Sequence, residues 1–316
     1  MDNRPEISLI ICTRNRDDMI VDVLNSVDKQ TFGRSEFEVL VLDQSTNDKT
    51  EQILKKFPDF KYIKLTSEGA AASRNEGIKH SNGKILVYVD DDVYFGEEYL
   101  QNIANFFNNP EINPDMVGGK THIKWLGEKP EWIENELLGT LAYSDYGDTP
   151  QQYDGHPKHV PYTCNMAIKK EIAEEVGGFS VFISNVEKKY PINEDIMFAL
   201  KVKNKDYNLM YNPDMFVFHK LPSSRLTFKY FKEKYFSHGL SDAYLYYILD
   251  KFTQKDAFSM LFVHAKRLMA GFLLQFVKKR QSEKYYQILR VYYNFGFIIS
   301  LIDILKRGNK IKNENS

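Results

Sequence analysis

The chain has 316 residues and a mass of 36.9 kDa, enough for one large domain or for a domain with an appendage. Its 43% hydrophobic and 14% aromatic residues are ample for a core, and its formal net charge of −1 argues against a general nucleic-acid-binding protein. The charge is uneven, because residues 255–316 contain twelve Lys and Arg against four Asp and Glu, a net of +8 that leaves −9 for residues 1–254. This asymmetry predicts an acidic body with a basic C-terminal segment.

The sequence predicts a reducing compartment. Cys12 and Cys164 are the only two cysteines and lie far apart in the chain, so they form neither a disulfide framework nor a metal-binding pattern. The first six residues lack the apolar stretch of a secretory signal, and no run of 18 consecutive apolar residues occurs. We therefore expect a cytoplasmic protein without a transmembrane helix.

The first ninety residues alternate between apolar strands and helices. The pattern predicts strands at 7–12, 37–42, 62–65 and 85–89, with helices that follow residue 17 and begin near residues 48 and 69. Strands that alternate with helices indicate βαβ units, and hence an α/β fold with a mostly parallel sheet flanked by helices. In such sheets ligands bind beyond the carboxyl ends of the strands.

The strand at 85–89 ends in three consecutive carboxylates, Asp90, Asp91 and Asp92. An unpaired carboxylate cannot continue into a core, so we expect these groups at the strand end, at the mouth of a cleft. Since side chains alternate along an extended chain, Asp90 and Asp92 should share one face while Asp91 points away. Two oxygen ligands on one edge suit Mg²⁺ or Mn²⁺ held with a substrate phosphate. A solvated acidic turn or a helix cap is the alternative, but the loop after Cys12 and the carboxylate of Asp43 are expected at the same edge.

The second half of the chain is less regular and then becomes helical. Residues 116–162 are rich in Gly, Pro and aromatic residues and are predicted to form strands and a long loop over the cleft. Strands are expected at 162–168 and 209–219, and helices at 170–176, 227–252 and 256–307. We predict one domain over residues 1–222 and a helical basic and aromatic extension over residues 223–316.

Glycine-rich phosphate-binding loops are missing from the sequence. No Gly-x-Gly-x-x-Gly follows the first strand, and no Gly-x-x-x-x-Gly-Lys occurs. Dinucleotide-dependent dehydrogenases and P-loop enzymes are therefore poor candidates. A metal ion on aspartates would neutralise a phosphate instead.

In the order and spacing of its motifs, the chain resembles the family 2 glycosyltransferases of the GT-A fold, which build polysaccharides from nucleotide-sugars. The resemblance covers about residues 5–220. No single motif carries it. The motifs are Ser8–Asn15, Val39–Asp43, Ala71–Gly77, Val89–Asp92, Gly177–Phe179 and Glu194–Asp195.

The resemblance implies a binding site for a nucleotide-diphosphate sugar. It implies that Asp43 accepts a hydrogen bond from the nucleobase, that Arg74 contacts the nucleotide or its diphosphate, and that Asp90 faces the ribose. The helix surface is an alternative position for Arg74. The full set of implied donor-binding residues is Thr13, Arg14, Asn15, Arg16, Asp43, Arg74, Asp90 and Asp91.

The resemblance also implies a metal ion and a general base. Asp92 would ligate Mn²⁺ or Mg²⁺ on the diphosphate, and His219 would line the same site, with a core or surface histidine as the alternative. Asp195 resembles the base that removes the proton from the acceptor hydroxyl, with a helix cap as the alternative. A single displacement would then invert the anomeric configuration.

On the acceptor side we expect Glu194, Asn165 and Trp125, with simple packing as the alternative for the last two. One position departs from the family pattern. Many members carry a second acid after the aspartate that ends the second strand, where this chain has Gln44. This departure leaves the identity of the nucleotide open.

The segment Val291–Ile302 is apolar and flanked by basic residues, Arg290 before it and Lys306 and Arg307 after it. With Lys278–Arg280 nearby, it resembles an interfacial helix attracted to anionic lipid, which would bring the protein to the inner face of the cell membrane. A helix packed on the catalytic domain or a dimer interface explains the same pattern.

These expectations describe an inverting glycosyltransferase that uses a nucleotide-diphosphate sugar and a glycan or lipid-linked acceptor, and no nucleic acid. Two other functions stay open. A sugar nucleotidyltransferase would normally carry a glycine-rich loop after the first strand, and residues 13–16 contain no glycine. A catalytically silent assembly subunit would not need Asp92 and Asp195.

Overall fold

The computed structural model describes residues 4–66, 69–154, 156, 159–185 and 193–313. The strands that it describes are β1 (Ile7–Thr13), β2 (Phe37–Asp43), β3 (Lys61–Lys64), β4 (Ile85–Asp90), β5 (Val93–Phe95), β6 (Met116–Trp125), β7 (Gln151–Gln152), β8 (Asn165–Lys169) and β9 (Leu209–Leu221). The α-helices are α1 (Ile20–Asp28), α2 (Lys49–Leu54), α3 (Ala70–His80), α4 (Tyr99–Phe107), α5 (Asn135–Leu138), α6 (Lys170–Glu175), α7 (Val181–Asn185), α8 (Glu194–Lys203), α9 (Phe228–Ile248), α10 (Asp256–Val277) and α11 (Gln281–Asn313).

The first four strands form the predicted parallel sheet, in the order β3-β2-β1-β4. Apolar runs buried on both faces build β1, β2 and β4, as expected for a sheet covered by helices on both sides. On one face Ile20, Val23 and Leu24 of α1 are completely buried. The amphipathic pattern of this helix therefore packs into the main core together with alternate residues of the three strands.

Beyond β4 the sheet is mixed, so the prediction of a mostly parallel sheet holds only for its first part. β8 pairs antiparallel with β4 and with β6, and β5 and β7 pair antiparallel with β9. Parallel pairing requires a crossover connection, usually a helix, and the regular alternation of strand and helix ends at β4. The later strands are joined by the turn between β4 and β5, by α4 between β5 and β6, by long loops, and by a segment that contains α6, α7 and α8 between β8 and β9.

The chain divides into two compact units. The first comprises residues 1–124, 142–179 and 198–220, and the second comprises 125–141, 180–197 and 221–316. The chain enters the second unit for the last time at residue 221, close to the boundary predicted between residues 222 and 223. Residues 125–141 and 180–197 also belong to the second unit, although the sequence placed them in the first domain.

In the second unit, α9, α10 and α11 are long helices, and α11 packs against both of the others. The helix predicted at 256–307 is in fact two, because α10 ends at Val277 and α11 begins at Gln281. Within the described residues, Asp256–Val277 and Gln281–Gly308 are long and apolar enough to cross a membrane, by length and composition alone. The sequence criterion of 18 consecutive apolar residues did not select these helices, because polar residues interrupt both of them.

Candidate active site

Three strand ends meet at one edge of the parallel sheet, as predicted. Thr13 lies opposite Asp43 in the pairing of β1 with β2, and Cys12 lies opposite Asp90 in the pairing of β1 with β4. The register therefore brings the loop after β1, the end of β2 and the acidic run after β4 to the same place. This is the position at which parallel sheets bind ligands.

The acidic run does not alternate as the sequence suggested. β4 ends at Asp90, and the chain turns at Asp91 and Asp92 before β5 begins. Arg16 bridges both turn residues, with Nη1 at 2.5 Å from Asp91 Oδ1 and Nη2 at 3.0 Å from Asp92 Oδ2. The prediction that Asp91 points away from Asp92 is wrong, because the alternation of side chains holds only while the backbone stays extended.

Asp91 and Asp92 are 2% and 1% exposed, so their charges depend on close partners. The Thr13 hydroxyl donates to Asp91 Oδ2 at 2.7 Å, in addition to the ion pair with Arg16. Burial raises the pKa of Asp91 to about 7, against the opposing effect of the Arg16 charge. Burial lowers the pKa of Arg16, but the Asp91 and Asp92 carboxylates outweigh it and raise that pKa above its usual range. Arg16 is therefore a stable cation that balances a buried acidic pair.

His219 approaches the Asp92 carboxylate from β9. It lies opposite Val93 in the pairing of β5 with β9, and its Nε2 is 3.3 Å from Asp92 Oδ1. The backbone N–H of Lys220 donates to the carbonyl of Asp92 at 2.8 Å, which holds the turn against β9. His219 is 4% exposed and lies beside Asp92, the residue for which the resemblance implied a metal ion.

Asp92 and His219 are suited to a divalent cation. A carboxylate oxygen and an imidazole nitrogen are ligands that Mn²⁺ accepts, and Mg²⁺ takes the carboxylate. Among the described residues no group of three or more His, Cys, Asp and Glu could hold a metal ion. Two protein ligands match a cation that completes its coordination with substrate phosphates and water. Such an ion would compete with the Arg16 guanidinium for the Asp92 carboxylate.

Asp43, at the end of β2, is completely buried. Its Oδ1 accepts from the backbone N–H of Ser45 at 2.7 Å, and its Oδ2 accepts from the Tyr62 hydroxyl at 2.9 Å and from Lys64 Nζ at 3.2 Å. Burial, followed by the bond to Asp43, raises the pKa of Tyr62 above its usual range. The predicted contact with a nucleobase would have to share these oxygens. The sequence did not predict Tyr62 and Lys64 as partners of Asp43. Both lie on β3, whose short, half-buried pattern is also typical of a strand with no role in a site.

The loop after β1 is tied to the loop after β2 by Asn15. Its backbone has a φ of 52°, which asparagine tolerates, and its N–H donates to Ser45 Oγ at 2.7 Å. Its Oδ1 accepts from the N–H of Thr46 at 2.9 Å. Arg14, by contrast, is exposed to solvent. Bonds from Thr13, Asn15 and Arg16 therefore hold this loop.

Arg74, on α3, is held by the Gly-Gly-Phe motif. Its Nη2 lies 3.5 Å from Asp90 Oδ1, and its guanidinium lies 5.6 Å from the centre of the Phe179 ring. Asn75 clamps Phe179, because its Oδ1 accepts from the Phe179 N–H at 2.8 Å and its Nδ2 donates to the Phe179 carbonyl at 2.9 Å. Gly178 has a φ of 66°, and a Cβ there would lie 2.5 Å from Asn75 Oδ1. The two motifs form one unit that fixes Arg74 beside Asp90.

Asn165 crosslinks the antiparallel part of the sheet. Its Oδ1 accepts from the Tyr99 hydroxyl at 2.8 Å, and its Nδ2 donates to the carbonyls of Lys120 and Met215, both at 2.9 Å. The side chain is 2% exposed. These bonds occupy the amide and favour a structural role over the predicted contact with an acceptor.

Glu194 and Asp195, which begin α8, lie in the second unit. Glu194 is buried, and Asp195 is half-buried with Oδ1 accepting from the N–H of Ile196 at 2.8 Å. Asn193, just before them, has a φ of 69° and donates from Nδ2 to Asp242 Oδ1 at 2.5 Å. The start of α8 is therefore held by a polar side chain of α9.

Further bonds complete this anchor. His238 Nδ1 lies 3.1 Å from Asn193 Oδ1, and the Tyr293 hydroxyl donates to Asp242 Oδ2 at 2.8 Å. Nothing in the sequence identified Asn193 or Asp242 as partners, because their spacing along the chain carries no periodic signal. Trp125, at the end of β6, is half-buried with Lys129 Nζ at 5.8 Å from its ring centre.

Comparison with known proteins agrees with this architecture. A family model described as Glycosyl transferase family 2 matches residues 8–177. Glycosyltransferase AglE of Haloferax volcanii is 28% identical over 180 residues, which cover 55% of this chain and 56% of that protein. Poly(ribitol-phosphate) beta-N-acetylglucosaminyltransferase TarS of Staphylococcus aureus is 34% identical over 108 residues, which cover 33% of this chain and 19% of that protein. The matching region thus spans about half of one relative and a fifth of the other.

Two solved structures have a similar fold. The mannosyltransferase PcManGT from Pyrobaculum calidifontis, in complex with GDP-Man and Mn²⁺, has a TM-score of 0.56 at 17% identity and covers 97% of this chain and 76% of that chain. TarS 1-349 of S. aureus, in complex with UDP, has a TM-score of 0.54 at 18% identity and covers 96% of this chain and 91% of that chain. These likenesses confirm the predicted GT-A fold with its C-terminal helices.

Proposed function

Since this chain belongs to glycosyl transferase family 2, we propose that it is an inverting glycosyltransferase that acts on a nucleotide-diphosphate sugar. The sugar passes to a hydroxyl group of a glycan or lipid-linked acceptor in the synthesis of a cell-surface polysaccharide, at the inner face of the cell membrane. Relatives named for poly(ribitol-phosphate) glycosylation and for minor teichoic acid biosynthesis support this acceptor class.

The observation that carries the proposal is the cluster at the sheet edge. Asp92 and His219 are both buried, and Asp92 Oδ1 lies 3.3 Å from His219 Nε2. Arg16 forms ion pairs with both Asp91 and Asp92. A cluster of buried acids and a half-buried arginine beyond the ends of parallel strands is suited to a diphosphate with its counterion. In our proposal Asp92 and His219 hold Mn²⁺ or Mg²⁺, which when bound stabilises negative charge on the departing nucleoside diphosphate.

The remaining donor contacts come from the chain itself. Asp43 and the Thr13–Arg16 loop bind the base and ribose, and Asp90 accepts from the ribose hydroxyls. Arg74, which the Asn75–Phe179 clamp fixes beside Asp90, contributes positive charge to the nucleotide. Arg cations stabilise charge that develops on phosphate oxygens during the reaction.

Asp195 acts as the general base in this proposal. It takes the proton from the acceptor hydroxyl as the oxygen attacks the anomeric carbon, while the bond from that carbon to the diphosphate breaks. The anchor of Asn193 to α9 supports such a role, because a catalytic carboxylate must be held in position. Glu194, buried beside it, contributes to the acceptor side, as does Trp125.

Nucleotide-sugar turnover by purified variants tests the proposal. With a panel of UDP- and GDP-sugars and Mn²⁺, we expect Asp92→Asn and Asp195→Asn to release nucleoside diphosphate at least about 100-fold more slowly than the unchanged protein. Asp59→Asn removes a surface carboxylate that is 73% exposed and serves as the matched control, with unchanged turnover. Thermal melting establishes that all three variants fold.

Two outcomes would contradict the proposal. If both active-site variants keep full turnover, the residues assigned here are not those of the reaction. If the unchanged protein releases pyrophosphate from a nucleoside triphosphate and a sugar phosphate, it is a nucleotidyltransferase.

A further inference from the structure

Helix α10 exposes large apolar side chains along its whole length. The exposed face, here called the α10 face, has side chains that are 53% to 73% accessible to solvent: Phe258, Phe262, Met269, Phe272, Leu273 and Phe276. Soluble proteins rarely expose contiguous apolar patches of this kind unless the patch binds something.

The other side of the same helix is packed. Ala257, His264 and Gly271 are buried and recur every seven residues, which places them on one stripe. His264 Nδ1 lies 2.9 Å from Asn294 Oδ1, and a Cβ at Gly271 would lie 3.1 Å from the Gln287 carbonyl, both on α11. The α10 face therefore results from a fixed orientation of the helix.

The geometry of the helix makes the α10 face continuous. Phe258, Phe262, Met269 and Phe276 are separated by four, seven and seven residues, so at about 100° per residue they stay within about 40° of one another. At about 1.5 Å per residue the row extends for about 27 Å. The face is therefore a long, narrow apolar strip.

Positive charges lie beside the middle of the strip and at its C-terminal end. Residues 255–284 contain seven Lys and Arg against two Asp and Glu, a net of +5. Lys278, Lys279 and Arg280 directly follow the last turn of α10, and Lys266 and Arg267 lie midway along it. An apolar strip bordered by cations complements a surface that combines acyl chains with anionic headgroups.

We propose that the α10 face lies in the headgroup region of a membrane that contains anionic lipids, with the helix parallel to the bilayer surface. Lys266 and Arg267 in the middle of the helix oppose insertion across the bilayer, and the buried stripe of α10 already packs on α11. A symmetric pair of chains would bring two segments of net +5 together, which like-charge repulsion disfavours.

The proposal changes the membrane-binding element that the sequence suggested. In the segment 291–302, Phe297 and Leu301 are 1% and 0% exposed, and Ser300 Oγ donates to the Leu240 carbonyl of α9 at 2.9 Å. The same segment exposes Phe295, Ile299 and Ile302 at 51%, 39% and 41%, a row that is shorter and less exposed than the strip on α10. The longer strip on α10 is the better membrane contact.

Flotation with lipid vesicles tests the α10 face in the full chain without any donor present. We expect the unchanged protein to float with phosphatidylcholine vesicles that contain 30% phosphatidylglycerol, and the double variant Phe262→Ser/Phe276→Ser to bind them at least tenfold more weakly. The matched control is Leu126→Ser/Val181→Ser, which removes two apolar side chains of the same unit that are 47% and 42% exposed. It should float like the unchanged protein.

Charge reversal gives an independent readout. The double variant Lys278→Glu/Lys279→Glu should lose the preference for vesicles with phosphatidylglycerol over pure phosphatidylcholine. All substituted side chains are at least partly exposed, so circular dichroism melting should show folded proteins.

Three results would overturn the inference: no flotation of the unchanged protein, equal flotation of the Phe262→Ser/Phe276→Ser variant, or a dimer in light scattering that this variant converts to a monomer. The last result would assign the α10 face to a second copy of the chain. Asp92→Asn should float normally, so vesicle binding and glycosyl transfer can fail separately.

Discussion

Arg16 allows two consecutive carboxylates to stay buried at the edge of the sheet. Asp91 and Asp92 would otherwise be desolvated like charges on adjacent residues, an arrangement that costs several kcal/mol in proteins. The guanidinium fork contacts one oxygen of each, which a lysine ammonium could do less well. The same contact competes with any metal ion on Asp92.

We predict that Arg16→Gln lowers stability and that Mn²⁺ compensates for the change. Loss of the cation leaves the buried acids unbalanced, which should cost about 3 kcal/mol in the free energy of unfolding. Because Mn²⁺ would replace the lost positive charge without competition from a guanidinium, the ion should raise the melting temperature of Arg16→Gln more than that of the unchanged protein. Differential scanning fluorimetry with and without Mn²⁺ measures both effects.

Arg14→Gln is the matched control, because Arg14 lies in the same loop and is exposed. Its stability should stay within about 0.5 kcal/mol of the unchanged protein. If Mn²⁺ shifted the melting of Arg16→Gln and the unchanged protein equally, the ion would not bind at Asp92.

At the scale of elements, helices α9 and α11 approach each other through glycines. A Cβ on Gly239 of α9 would lie 1.9 Å from the Tyr293 carbonyl oxygen, and one on Gly296 of α11 would lie 2.3 Å from the Phe236 carbonyl oxygen. Each glycine therefore sits against the backbone of the partner helix. Backbone atoms cannot rotate away as a side chain can.

We predict that Gly296→Ala destabilises the helical unit. The added methyl group forces α9 and α11 apart, and overpacking of this kind costs about 1–3 kcal/mol. The melting midpoint followed by circular dichroism at 222 nm should fall accordingly.

Gly139→Ala provides the contrast in the same unit. Its φ is −58° and a Cβ there meets nothing within 4 Å, so alanine is compatible with the native backbone. The substitution should be neutral or stabilising by up to about 1 kcal/mol, since alanine restricts the unfolded chain. If Gly139→Ala and Gly296→Ala lowered the melting midpoint equally, close packing at Gly296 would be contradicted.

At the scale of the whole molecule, each proposed residue can be assigned to one of the two compact units. The donor-side set, which includes Asp43, Arg74, Asp92 and His219, lies in the first unit, and Asp195 lies in the second. Donor and metal should therefore stabilise the first unit together.

We predict that a nucleotide-diphosphate sugar and Mn²⁺ together raise the melting temperature more than the sum of their separate effects. A ligand at 100 times its dissociation constant adds about 2.7 kcal/mol. Differential scanning fluorimetry across a panel of UDP- and GDP-sugars would also identify the nucleotide. The matched nucleoside monophosphate, which offers no diphosphate to the metal, should give a smaller shift with Mn²⁺. If the nucleotide-diphosphate sugar raised the melting temperature equally in EDTA and in Mn²⁺, the metal ion would not take part in donor binding.

The sequence by itself determined the parallel core, the strand ends that carry Thr13, Asp43 and Asp90, and the family. Each of these follows from local periodicity or from short motifs, and both are properties of neighbouring residues. It also located the acidic run at an edge, because buried unpaired carboxylates are too costly.

The tertiary structure determined which residues contact one another in the candidate site. Arg16 meets Asp91 because the chain turns where alternation predicted a strand, and His219 meets Asp92 because β9 pairs with β5. The antiparallel half of the sheet and the exposure of α10 likewise depend on pairing register and on which helix packs outermost. Contacts between residues far apart in the chain leave no periodic trace in it, so only folding in three dimensions determines them.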